Sequence, residues 1–105
     1  MKHKPLEQIL NEFIRHLNDL VQPANNGLAK YRQGDLSGAL EDLDKAVELE
    51  PDYEAAYNQR GVVKRELGDL SGALKDYDKA IKLNPKYAFV YFNRGVVKRE
   101  LGDLS

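Results

Sequence analysis

Three carboxamides, Asn25, Gln59 and Asn93, stand 34 residues apart. Each carries both a donor and an acceptor, so a row of them can bracket the peptide units of an extended chain without reading its side chains. The same interval relates Leu28, Val62 and Val96. With Asn58, Phe89 and Phe92 these residues could make an apolar floor. The two phenylalanines are the natural anchors, because aromatic side chains dominate binding hot spots. A competing reading packs Phe89 or Phe92 against the preceding segment. Arg65 and Arg99 recur at the same interval and suit acidic groups, unless they pair on their own helix surface.

Other chemistries have little to work with. His3 and His16 are the only histidines, and cysteine is absent, so neither paired-histidine metal spacing nor a thiol nucleophile exists. Ser37, Ser71 and Ser105 recur near expected helix starts, where serine is a local structural residue. The glycines fall at helix ends and crossings, not in a loop that cradles phosphate. No catalytic residue, metal or cofactor is expected. A formal net charge of −1 provides no field for nucleic acid or an acidic membrane. The basic start MKHKP runs into Glu7, Gln8, Asn11 and Glu12, which break any signal-peptide core. No stretch approaches the roughly 18 apolar residues of a membrane span, and the cytoplasm is the default location.

The elements that must position these side chains follow from a repeat. GVVKRELGDLS occurs at 61–71 and again at 95–105, and the same shift relates Gly27, Gly61 and Gly95, Ala39 and Ala73, Ala46 and Ala80, and Pro51 and Pro85. In the middle unit Tyr57, Gly61, Val63 and Leu67 recur at helical spacing, predicting a first helix over about 54–67. Gly68 suits a left-handed helix end and Asp69 an N-cap. A second helix then carries Leu70, Ala73, Leu74, Tyr77, Ala80, Ile81 and Leu83 on one face until Asn84-Pro85 stops it. The short Gly-Asp junction makes the two helices antiparallel. Gly61, Ala73 and Ala80 allow a close crossing, with Tyr57 and Tyr77 filling the space between helices.

This pattern resembles the tetratricopeptide repeat in Tyr57-x2-Arg60-Gly61-x2-Lys64, then Ala73-x3-Tyr77, Ala80 and Pro85. Tyrosine replaces the usual tryptophan, and Lys64 stands where an aromatic is more common. The resemblance covers about residues 23–105. It implies an all-α fold, an alpha-alpha superhelix (solenoid) of antiparallel helix pairs whose first helices line a concave groove. It also implies a partner that is a protein or extended peptide, and no chemistry of its own. Family members that grip chaperone C-termini use a lysine/asparagine/arginine clamp. The matching positions are Ala24, Leu28, Gln59, Phe89 and Asn93, so the clamp is absent and carboxylate-terminated peptides are disfavoured.

Both ends depart from the pattern. Pro23 replaces the tyrosine of the later copies, so the first helix of the first unit is expected to start there, with proline at its first position. Ahead of it Leu6, Ile9, Leu10, Phe13, Ile14, Leu17, Leu20 and Val21 form an apolar stripe on a separate amphipathic helix over 1–22. That helix is read as a cap for the first repeat, with self-association as the alternative. The array itself divides at about 23–53, 54–87 and a half repeat at 88–105. In the half repeat Val97, Leu101 and Leu104 lack a following helix, so the chain reads as a piece of a longer array with a face open to end-to-end association. Two further roles compete with peptide binding: an assembly module, or the non-catalytic targeting segment of a longer enzyme. Acidic residues from Glu41 to Glu54 face Arg60, Lys64 and Arg65, an arrangement that favours stacking of neighbouring helices.

Overall fold

The computed structural model describes residues 3–102. Its elements are five α-helices: α1 (Leu6–Arg32), α2 (Leu36–Leu49), α3 (Glu54–Glu66), α4 (Leu70–Leu83) and α5 (Ala88–Glu100). Among the described residues there is no strand. The tail of α1 pairs with α2 and α3 pairs with α4, while α5 packs on α4, so contacts run mainly between neighbours in sequence. The result is long and narrow, 66 × 29 × 18 Å, as expected where each unit touches only the next.

The turns inside the pairs have a local cause. Gly34 and Gly68 adopt φ of 84° and 88°, a left-handed conformation in which glycine meets no Cβ penalty. At the second turn the Gly68 N–H donates to the Arg65 carbonyl (2.9 Å) and the Asp69 N–H to the Lys64 carbonyl (2.8 Å). This pair of bonds closes the end of a helix around its last free carbonyls. Asp69 then caps the next helix, its Oδ1 accepting from the Gly72 N–H at 2.9 Å. One residue thus ends α3 and starts α4, and Asp35 does the same between α1 and α2.

Close helix approach follows from residues without bulk. Ala39 and Ala46 on α2 and Ala73 and Ala80 on α4 are fully buried. At Gly61, a Cβ would lie 2.5 Å from Tyr77 Cε1; at Gly27, 2.7 Å from Leu43 Cγ. Glycine is required at both crossings because the facing side chain occupies the space a Cβ would take. Tyr57 and Tyr77 are both buried in the second half of the core, as the sequence predicts.

Burial pushes the Tyr77 phenol up to about 12 from its ordinary 10.0. The unfolded chain therefore releases this proton first, and stability present below pH 10 is lost as pH rises toward 12. Unfolding free energy should fall by on the order of 2 kcal/mol across that window through this group. Denaturant titrations of wild type and Tyr77→Phe will check it: the Phe variant should lack that part of the decline.

The structure departs from the sequence reading at three places. No helix begins at Pro23, because α1 is continuous through it. Proline there removes the N–H that would reach the Asp19 carbonyl and presses its ring on that carbonyl, a cost of about 3 kcal/mol that packing on both sides must offset. Leu20 and Val21 are already partly covered on the turn before it, and Ala24 is buried on the turn after. The leading half of α1 also shields little of the first repeat: Leu6, Ile9, Leu10, Phe13, Ile14 and Leu17 all remain exposed. Val97 was expected to lack cover, yet it is fully buried against α4; Leu101 is the exposed one, and Leu67 is likewise exposed. Leu104, also assigned to the open face, lies outside the described residues.

Candidate functional site

The tail of α1, α3 and α5 touch in succession along one side of the molecule. Two hollows lie between them. The first, about 190 Å³, is lined by Leu28, Tyr31, Leu43, Asn58, Gln59, Val62 and Val63. The second, about 120 Å³, is lined by Tyr31, Val62, Arg65, Glu66, Tyr77, Phe92, Asn93 and Val96. Tyr31 and Val62 belong to both, so the hollows form one track. A third, about 280 Å³, continues around α5 past Phe92 and Val96 to Tyr91, Gly95 and Arg99.

The carboxamides do not form the ladder their spacing suggests. Asn93 Nδ2 donates to Asn58 Oδ1 at 2.9 Å, joining α5 to α3. One repeat earlier the equivalent positions hold Gln59 and Ala24. Alanine offers no carboxamide, and Gln59 Oε1 is buried without a hydrogen-bond partner. Asn25 is exposed and lines none of the hollows. Of the three carboxamides, one is paired, one lacks an acceptor's partner and one lies outside the track.

The apolar floor is clearer. Leu28 and Val62 line the first hollow and Val96 the second. Phe92 is 70% exposed at the junction of the second and third hollows. Phe89 is exposed too, yet it lines none of them. Both phenylalanines are mostly exposed, so neither is buried against the preceding repeat. Tyr31, which sequence reasoning missed, walls both inner hollows. It occupies the position that Arg65 holds one repeat later, a signal that was readable.

Arg65 is already committed. Its Nε donates to Glu100 Oε1 at 3.0 Å, and Nη2 reaches the same oxygen. This hydrogen bonding holds the guanidinium above its ordinary value. Arg99, the next copy, is exposed and makes no ion pair among the described residues.

Beside the track lies a charge network in which Arg60 does meet the preceding acidic helix, as expected, but whose centre, Asp76, the sequence reading did not single out. Asp76 is buried, and Arg60 grips it with Nε at 2.9 Å and Nη2 at 2.7 Å. Lys64 Nζ adds a third contact at 3.2 Å. Arg60 Nη1 also reaches Asp44 of the preceding pair at 3.2 Å. In the first repeat Lys30 Nζ lies 2.8 Å from the buried Asp42. The readable signal was the recurrence of Lys30/Asp42 as Lys64/Asp76 at the repeat interval. No histidine, cysteine or carboxylate group among the described residues clusters as a metal site. No helix among them is long and apolar enough to cross a membrane.

These features define an all-α solenoid of antiparallel helix pairs with a lined track on the first helix of each pair. The family model described as TPR repeat matches residues 27–64 and 62–102. The chain belongs to the TPR repeat family. No curated protein matches it as a relative. Among solved structures, it is similar to the first TPR of Spaghetti (RPAP3) bound to HSP90 peptide SRMEEVD, with TM-score 0.77 and 29% identity. That match covers 79% of this chain and 66% of the other. It is also similar in fold to MamA protein, with TM-score 0.77 and 24% identity over 80% of this chain and 46% of that one. The chain thus spans just under two thirds of the first structure and less than half of the second.

Proposed function

We propose that this chain is a scaffold that holds an extended peptide, or an extended segment of a protein, along the track of α1, α3 and α5, without catalysis. The observation that carries the reading is Phe92, a large aromatic 70% exposed at the edge of a hollow floored by Val62 and Val96 and rimmed by Arg65, Glu66 and Asn93. Such a surface is unfavourable in water and becomes favourable once an apolar side chain covers it. Gln59 supports the reading, because turning its terminal carboxamide toward the first hollow would offer its unpartnered oxygen to a ligand N–H. The likeness to a TPR structure that holds a peptide supports the same class of ligand. No cation occupies Ala24, Leu28, Gln59, Phe89 or Asn93. The peptide is therefore expected to bind through apolar side chains and backbone rather than a terminal carboxylate.

The test is a peptide-library pull-down followed by titration of the strongest ligand. Phe92→Ala should weaken it at least about tenfold, the scale of losing a hot-spot aromatic. Asn93→Ala should weaken it too, since it frees Asn58 and loosens α5 against α3. Asn25→Ala should bind like wild type. Equal affinity for wild type and Phe92→Ala would sink the assignment of the track.

A further inference from the structure

We propose that the leading half of α1 from a second copy docks on the face of α5 that is left uncovered among the described residues, packing there as α4 packs on α3. Three observations define what that face receives. Gly27 and Gly61 are each filled by a large side chain of their partner helix, Leu43 and Tyr77, whereas a Cβ at Gly95 would meet nothing within 4 Å. Tyr91, the equivalent of the buried Tyr57, is 41% exposed beside that notch, and a hollow of about 280 Å³ opens there. Lys30 and Lys64 each meet a buried aspartate on the partner helix. Lys98 is the next copy of that lysine and makes no ion pair among the described residues. The face is shaped for a helix with an acidic residue followed directly by a large one.

The leading half of α1 has that pattern. Leu6, Ile9, Leu10, Glu12, Phe13 and Leu17 keep the spacing of Leu70, Ala73, Leu74, Asp76, Tyr77 and Ile81 on α4, and of Leu36, Ala39, Leu40, Asp42, Leu43 and Val47 on α2. Glu12 and Phe13 take the places of Asp76 and Tyr77. In the docked helix Phe13 enters the Gly95 notch and Glu12 turns to Lys98. Ile9 and His16 stand where the fully buried Ala73 and Ala80 allow a close crossing, so the helix from the second copy sits further out. The longer Glu12 side chain suits that wider separation. Glu12 is held now only by Lys4, at 3.1 Å, on the exposed surface, a pair that exchanges easily.

The contact must form between molecules. α1 is one continuous helix, and its trunk packs at the opposite end of the array from α5. Each copy then offers one helix and one receiving face, a head-to-tail contact that does not close on itself and adds copies in a row.

Sedimentation velocity of the full chain over a concentration series reads the outcome directly. Wild type should gain mass with concentration and pass beyond the dimer. Gly95→Leu fills the notch without touching a neighbour, so it should keep its helical circular dichroism and sediment as a monomer. Glu12→Lys alone and Lys98→Glu alone should also stay monomeric, and an equimolar mixture of the two should associate again. A wild-type chain that remains monomeric throughout would overturn the proposal. So would association that survives Phe13→Ser, which would assign the α5 face to some other segment.

Discussion

Gly61→Leu should lower the melting temperature by roughly 5–15 °C, the largest effect expected of any single glycine replacement here. Its Cβ alone would sit 2.5 Å from Cε1 and 2.8 Å from Cδ1 of Tyr77. Tyr77 has little room to swing aside, because it is 1% exposed and clusters with Ala73, Ala80, Val90 and Val97, with only the small second hollow on its open side. The helix hairpin must open instead. Opening it loses packing on both sides of the crossing, at the overpacking scale of about 1–3 kcal/mol or more. Against this stands a gain of up to about 1 kcal/mol from removing a mid-helix glycine, which is the smaller effect. Gly95→Leu separates the two contributions. It occupies the same position one repeat later, meets no neighbour, and at concentrations where wild type is monomeric should leave the melting curve unchanged or raise it slightly. Adding Tyr77→Ala to Gly61→Leu should cost far less than the sum of the single changes, because the two side chains claim one space. Additive losses would show that the crossing is not where the strain arises.

The contrast between those two glycines shows what a repeated sequence reveals. Equal spacing identifies equivalent positions, and from them the helix pairs, the Gly68 turn, the Asp69 cap and the Leu70–Leu83 helix were all legible. It does not identify which residues touch. Asn58 meets Asn93 and Arg65 meets Glu100, both separated by 35 residues and not by the repeat interval. Neighbouring first helices lie side by side with a slight stagger, so a residue faces the equivalent of its sequence neighbour. A carboxamide ladder drawn at the repeat interval therefore joined residues that share a role but not a contact. Pro23 misled for a different reason. Proline in a helix interior loses one hydrogen bond and crowds the carbonyl four residues back, about 3 kcal/mol that a helix start avoids, and packing on either side of the residue decides whether the helix continues. The burial of Asp42 and Asp76 is not legible because hydropathy patterns treat every charge as surface.

Those aspartates carry the second large effect. Asp76→Ala should destabilise the chain by about 3 kcal/mol, measured by urea unfolding, toward the lower end of the range for breaking a buried ion pair. The carboxylate accepts two parallel bonds from Arg60, at 2.9 and 2.7 Å, and contacts Lys64 at 3.2 Å. Its removal leaves two cations facing each other, with side chains only 18% and 21% exposed. Arg60 keeps Asp44 at 3.2 Å, and water reaches Lys64, so the loss stops short of the full cost of a stranded buried charge. Asp42→Ala provides the internal comparison. Asp42 serves a single cation, Lys30, whose side chain is 41% exposed, and the contact lacks hydrogen-bond alignment. That variant should lose no more than about 1–2 kcal/mol, because the freed lysine can hydrate. Raising the salt concentration should shrink the Asp42 effect more than the Asp76 effect, since screening acts mainly on exposed charges. Equal losses at the two sites, with equal salt dependence, would mean that burial of the carboxylate and not its Arg60 clasp sets the stability of each hairpin.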